Sequence, residues 1–282
     1  DSYLRIFMSI HFDVIINSQD LSIDMKSGLD TLQGVSDSTR FIAETVLEEE
    51  VPKKLLHKDN VRTNLKKNFK GSYGQVFSID FYNDVLKKKF NRIGKSTFAE
   101  IISYFINESL YLESEDLSDK AQKIVDGLGE KADELVRQLR ISSLENAHEI
   151  AIKFDHSIKI RYRKSSTEQI ELAQLNKNTA LTFKAQESKS QEDIIAGISR
   201  LNINTGNGRL LIKGSSETIA FGFLVKYKEV KLEAKKLFSK NLDENNGLSS
   251  DSWSYLKLKA QPVKLQDGKI IKYMITGIYN NA

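Results

Sequence analysis

Residues 197–227 read GISRLNINTGNGRLLIKGSSETIAFGFLVKY, continue as KEVKLEAKKLFSKNL over 228–242, and close as WSYLKLKAQPVKLQDGKIIKYMITGI over 253–278. Apolar and polar residues alternate in short runs cut by TGNG, KGSS and QDGK. That period of two, with Gly-bearing breaks, predicts short strands joined by turns. The lysine-rich 228–241 stretch has helical spacing between them. The expectation is a small, strongly curved antiparallel β-barrel with one inserted helix, a kind of barrel that more often binds than catalyses.

Working outward, the chain predicts an α+β protein with N-terminal strands plus helices and this C-terminal small antiparallel β-barrel. YLRIFMSIHFDVIIN (3–17) alternates as a long strand. Residues 26–50 have mixed helical spacing, read as one or two helices with Ser36, Asp37 or Ser38 as N-cap. VRTNLKKNFKGSYGQVFSIDFYNDVLKKK (61–89) reads as two strands joined at KGSYG. Phe98–Leu112 and Leu117–His148 carry helical apolar stripes, the second weakened at Gly127 and Gly129. AIKFDHSIKIRYR (151–163) fits either a strand or a continued helix. Composition turns polar over 164–193. The expected domains are therefore 1–163, a polar junction 164–193, and the barrel 194–282.

Composition removes several function classes. Of 282 residues, 40% are hydrophobic, enough to bury cores, and none is Cys, which excludes disulfides, thiolate catalysis and Cys-ligated zinc. The apolar stretches near 3–16 and 98–112 are interrupted by Arg5, His11, Asp13, Glu100 and Asn107, so neither spans a bilayer. No membrane partner is expected, and a cytoplasmic location is. His148 and His156 stand eight residues apart, about 12 Å of rise on a helix, too far to share a metal. The acidic groups at Glu48–Glu50 and Glu115–Asp119 cluster locally near apparent helix ends, and Glu115 and Asp116 fit a helix N-terminus, where the dipole favours them. TGNG precedes a strand rather than a helix, so it is not a phosphate loop. No catalytic residue, metal or cofactor is assigned.

Charge is the functional lead. The chain is +4 overall, yet Lys53–Lys95 holds ten Lys and two Arg against three Asp, an excess of nine, leaving the remainder at −5. The candidate nucleic-acid-binding residues are Lys53, Lys54, Lys58, Arg62, Lys66, Lys67, Lys70, Lys87, Lys88, Lys89, Arg92 and Lys95. Phe69, Tyr73, Phe77, Phe81, Tyr82 and Phe90 are interleaved with them. Lysines supply sequence-independent phosphate attraction, and exposed aromatics stack on bases. The competing reading puts these aromatics in the core and the lysines on a solvated face. Similarly, Phe221, Phe223, Tyr227, Trp253 and Tyr255 fit barrel core better than a ligand surface.

GLDTLQGVSDSTRFIAE (28–44) and LKAQPVKLQDGKIIKYMITGI (258–278) resemble an uncharacterised bacterial family that joins an N-terminal α+β domain to a C-terminal small five-stranded β-barrel and is associated with antiviral conflict systems. The resemblance implies a non-catalytic sensor, adaptor or accessory subunit of a defence assembly, acting through another protein subunit. The alternatives are a sequence-independent nucleic-acid-binding protein using Lys53–Lys95 and a metal-dependent nuclease.

Overall fold

The structure is a computed structural model that describes residues 8–19, 22–56, 60–69 and 73–279. Lys58 and Lys70 lie outside the described residues. The chain forms two compact units: residues up to Leu110 together with Ser114–Ala180, and Tyr111–Glu113 together with residues from Leu181 on.

The first unit runs β1 (Met8–Ile16), α1 (Met25–Glu48), β2 (Val61–Phe69), β3 (Tyr73–Phe81), α2 (Asp84–Ile93), α3 (Lys95–Ser109), α4 (Asp119–Leu128), α5 (Glu130–Gln138), α6 (Leu144–Ala147), α7 (Glu149–Phe154), β4 (Ile158–Arg163), β5 (Gln169–Leu175) and α8 (Lys177–Ala180). Its five strands are ordered β2-β3-β1-β4-β5, all antiparallel. Ile10, Phe12, Val14 and Ile16 of β1 face the core with Phe77, Ile79 and Phe81 of β3. β5 falls within the stretch read as the polar junction.

Local chemistry explains the helices and corrects three readings. Ser36, Asp37 and Ser38 cap nothing. They lie inside one 24-residue helix, α1, whose N-cap is Asp24 accepting from Ser27 N at 2.8 Å. Gly34 is a point of close approach: a Cβ there would lie 2.2 Å from the Ala147 backbone nitrogen. Residues 84–89, read as strand, begin α2, because Asn83 Oδ1 accepts from Val85 N and Leu86 N and turns the chain into helix. The 151–163 stretch is both alternatives in turn, helix α7 and then strand β4, with Asp155 at φ 57° ending the helix.

The second unit runs β6 (Gln186–Glu187), β7 (Glu192–Leu201), β8 (Gly208–Ile212), β9 (Thr218–Phe223), α9 (Leu232–Asn245), β10 (Leu256–Lys264) and β11 (Ile270–Ile278). β7, β8, β9, β11 and β10 pair in that order, and β10 returns to β7, closing a five-stranded barrel. The barrel is mixed rather than purely antiparallel, since β9 and β11 run parallel. Ile198, Leu210, Phe221, Leu258 and Ile275 fill it, and Phe238 of α9 packs into the same core. β7 shifts register between Ile198 and Arg200, and Asn241 of α9 supplies the acceptor for Ile198 N at 2.8 Å. Pairing of β7 with β10 ends at Ala196 and Leu256, so the helix answers a backbone donor of β7 that lies beyond that ladder.

Candidate nucleic-acid interface

One face of the five-stranded sheet is apolar and covered by helices. The opposite face is polar to an unusual degree. Register places on it Arg62, Asn64 and Lys66 of β2, Val76, Ser78 and Asp80 of β3, Ser9, His11 and Asp13 of β1, and Arg161 and Arg163 of β4, because directly opposed residues share a face. A cavity of about 630 Å³ opens there, lined by His11, Lys66, Lys67, Val76, Lys95, Arg163, Lys164, Ser165 and Ser166.

The sequence folds to give this convergence. In a regular strand Lys66 and Lys67 would point to opposite faces. β2 is bulged between Leu65 and Asn68, placing two residues opposite Val76 alone, and both lysines line the cavity. Gly94, at φ 87°, ends α2 and starts α3 at once, which puts Lys95 at the first position of α3. The β4–β5 hairpin delivers Lys164, Ser165 and Ser166 from the other side of the sheet. Phe69 lies 6.0 Å from both Arg161 and Arg163. Gly74 makes room for its ring: a Cβ there would lie 2.4 Å from it.

Beneath the cations lies a charge network. Asp13 is fully buried and accepts from Arg161 Nη2 at 2.8 Å and from Arg163 Nη1 at 2.8 and 3.0 Å. Burying a carboxylate costs several kcal/mol unless it is paired, so the two arginines compensate it and are themselves held. Asp80, 5% exposed, accepts from Asn64 Nδ2 at 2.7 Å and lies 3.5 Å from Lys66 Nζ, both through Oδ2. Its Oδ1 has no protein partner among the described residues, and neither has Ser78 Oγ or Arg161 Nε. The His11 pKa is held below the ordinary imidazole value by burial and then by Lys66, with Lys95 and Arg163 adding and Asp80 opposing. Among the described residues Lys67 and Lys95 have no acidic partner within ion-pair distance.

The candidate lysines thus separate. Lys66, Lys67 and Lys95 converge on the cavity. Lys53, Lys54, Lys88 and Arg92 are exposed elsewhere. Arg62 lies over the Tyr82 ring at 4.6 Å. Lys87 pairs with Asp84, and Lys89 caps the end of α1 by donating to Leu47 O at 2.8 Å. Phe77, Phe81 and Phe90 are core, with Phe81 and Phe90 centroids 4.4 Å apart, so they stack on each other rather than on bases. Sequence reading missed His11, Arg163, Lys164, Ser165 and Ser166. The available signal was the alternation IHFD and IKIRYR, with charges at every second position of strands whose other face is apolar.

His148 is buried in the first unit, its Nδ1–H donating to Leu144 O at 2.7 Å and its Nε2 2.8 Å from Thr179 Oγ1. Burial depresses its pKa to about 4. The His156 ring stacks on Phe154. An apolar recess of about 400 Å³ lies between α1 and β2, with Leu29, Leu32, Leu65 and Phe77 among its lining. No helix among the described residues is long and apolar enough to cross a membrane.

The barrel's strand order, closure and helix placement are those of the OB-fold, whose second and third strands bind oligonucleotides in many proteins. That is a likeness of topology, and function must be argued from the site. In this barrel the outer side of β8, β9 and β11 already carries the chain's own Tyr111: Arg209 Nη1 donates to Tyr111 O at 3.3 Å and Lys272 Nζ lies 4.9 Å from the Tyr111 ring. No family model, no curated relative and no solved structure matches the chain. The resemblance to the antiviral-associated family rests on the residues quoted for it above.

Proposed function

We propose that the chain is a non-catalytic nucleic-acid-binding protein that takes the phosphates of a single strand on the polar face of its first unit. The observation that carries the reading is the convergence of Lys66, Lys67, Lys95, Arg163 and Lys164 on one cavity from three separate parts of the chain. Lysine acts as a point charge rather than a bidentate reader of base edges, and the segment's buried aromatics offer no stacking platform. Binding is therefore sequence-independent and electrostatic. A cavity of this volume has room for one strand at a time, not for a duplex. If all five cations meet a phosphate of single-stranded DNA, the log–log salt slope approaches roughly −3.5, at about 0.7 per contact. Titration of labelled single- and double-stranded oligonucleotides at two salt concentrations tests this. Tighter single-strand binding that weakens steeply with salt is expected, and no binding at low salt refutes it.

A second reading, an accessory subunit that docks a protein, is favoured by the apolar recess, where Leu29 and Leu65 are 52% and 65% exposed. Leu65→Lys then abolishes association with that partner and leaves oligonucleotide affinity intact.

A further inference from the structure

We propose that the outer face of β8, β9 and β11 is a binding site for an extended aromatic-acidic peptide segment of a partner protein, and that the chain's own Tyr111–Glu113 occupies this face as a displaceable plug.

Alternation and register define the face. Leu210, Phe221 and Tyr273 belong to the barrel core, so their neighbours Arg209, Ala220 and Lys272 point outward. These three stand directly opposite one another in a row across β8, β9 and β11. Ala220, and Gly222 two residues on, leave the middle strand low between two cations. A Cβ at Gly222 would lie 2.7 Å from Asn207 Oδ1 and 3.5 Å from Lys272 Cε, so the lysine stem runs beside this strip. A strip of small residues beside a cation is shaped for a flat ring. Tyr111 supplies one: Lys272 Nζ lies 4.9 Å from its centroid, within cation–π range. Three residues of the chain, Tyr111–Glu113, group with the barrel, while Leu110 and Ser114 on either side group with the first unit.

Two observations mark this occupant as replaceable. Tyr111 sits at φ 58°, a left-handed conformation that a bulky side chain adopts only under constraint. Arg209, beneath it, is 6% exposed and incompletely answered. Its Nε and Nη2 donate to Thr218 Oγ1 at 2.7 Å and Thr218 O at 2.8 Å, while Nη1 reaches Tyr111 O only at 3.3 Å. All three acceptors are uncharged, and among the described residues no carboxylate lies within ion-pair distance of it. Burial pushes the pKa of this guanidinium down, with Glu113 opposing. A nearly buried guanidinium is compensated best by a carboxylate that meets it directly. The plug thus supplies the ring without the close anion. A partner segment that lays an aromatic side chain beside Lys272 and a carboxylate on Arg209 supplies both. The occupant seen on the face is itself a peptide, Tyr-Leu-Glu, which favours a peptide over a nucleic-acid strand here.

The test uses the full chain and a fluorescent peptide of residues 107–117, NESLYLESEDL, with binding followed by anisotropy in the wild type and in Tyr111→Gly. Glycine takes φ 58° freely, so this variant removes the ring without straining the loop. The wild type, its face already occupied, should bind the peptide weakly. Tyr111→Gly should bind it about fivefold more tightly, the order of one cation–π contact. Adding Lys272→Gln to Tyr111→Gly should cancel that gain, and a peptide with serine in place of its tyrosine should not show it. Oligothymidylate held by the cavity of the first unit should bind both proteins alike. Equal peptide affinity in wild type and Tyr111→Gly overturns the proposal, as does a gain that survives Lys272→Gln. A gain in oligothymidylate affinity in place of peptide affinity shows a face for nucleic acid and overturns the peptide assignment.

Discussion

His148 makes the acid stability of the first unit a quantitative matter. Its imidazole is fully buried between Leu144 O and Thr179 Oγ1, and burial lowers its pKa from 6.5 to about 4. In the unfolded chain the ring takes a proton near pH 6.5, while in the folded chain it resists until about pH 4. The unfolded state therefore binds more protons between these values. Stability is complete above pH 6.5 and is lost as pH falls toward 4, at most about 1.4 kcal/mol per pH unit. The interval of 2.5 units corresponds to about 3 kcal/mol. Other groups titrate over the same range, so the informative quantity is a difference of differences. Urea unfolding of the wild type and of His148→Gln, followed by helical circular dichroism from pH 7.5 to 4, supplies it. The variant starts less stable, because its amide fits the imidazole's buried place less well, and the two curves approach each other by about 3 kcal/mol as pH falls. With an m-value of about 2 kcal/mol/M, the midpoints converge by about 1.5 M urea. Parallel curves, or a His148 ring that titrates near 6.5 in the folded protein, would refute the argument.

Three further outcomes follow from the same geometry. Gly34→Ala should destabilise by about 1–3 kcal/mol in spite of a helix-propensity gain, because its Cβ meets the Ala147 backbone at 2.2 Å; Gly28→Ala, whose Cβ meets only the end of the Ile23 side chain, should be neutral or stabilising by up to about 1 kcal/mol, both read from thermal melts. Brief trypsin treatment should cut first at the exposed Lys184 or Lys189 and release a fragment with β7–β11 intact, and first cuts inside 197–278 would contradict the boundary. His11 faces Lys66, Lys95, Arg163 and Asp80, which with burial hold its pKa below the ordinary 6.5, so an anion in the cavity should raise that pKa and affinity for a phosphodiester oligonucleotide should rise as pH falls below 6.5, a trend His11→Gln removes.

The parts legible in the sequence were those set by local rules. Alternation and Gly-bearing turns gave the barrel strands and the place of α9, since a strand's period and a turn's φ are local properties. The parallel pairing of β9 with β11 was not legible, because alternation is the same in either direction. Nor was the length of α1: Ser36 looks like a cap residue, but tertiary packing puts it to another use. Gly34 admits the Ala147 backbone, and Ser36 Oγ meets Thr63 Oγ1 of β2 at 2.5 Å. The lysines of the candidate site showed as charge, yet which of them act together did not. Lys66 and Arg163 are far apart in sequence, and only the strand order β2-β3-β1-β4-β5 and the bulge at Lys66–Lys67 unite them. Buried Asp13 was the missed clue, since a carboxylate inside an otherwise apolar strand demands cations from a neighbouring strand, here Arg161 and Arg163.

The central claim, that the cations of one cavity hold the phosphates, is tested most directly by the salt dependence of single-strand binding in two variants of equal charge. One replaces Lys66, Lys67 and Lys95 with Gln, and the other replaces Lys53, Lys54 and Lys88, which are equally exposed but stand outside the cavity. The cavity variant should lose about 2 from the log–log slope, three contacts at about 0.7 each, while the outside variant keeps the wild-type slope. Equal losses in both variants, or no loss in either, would contradict the account.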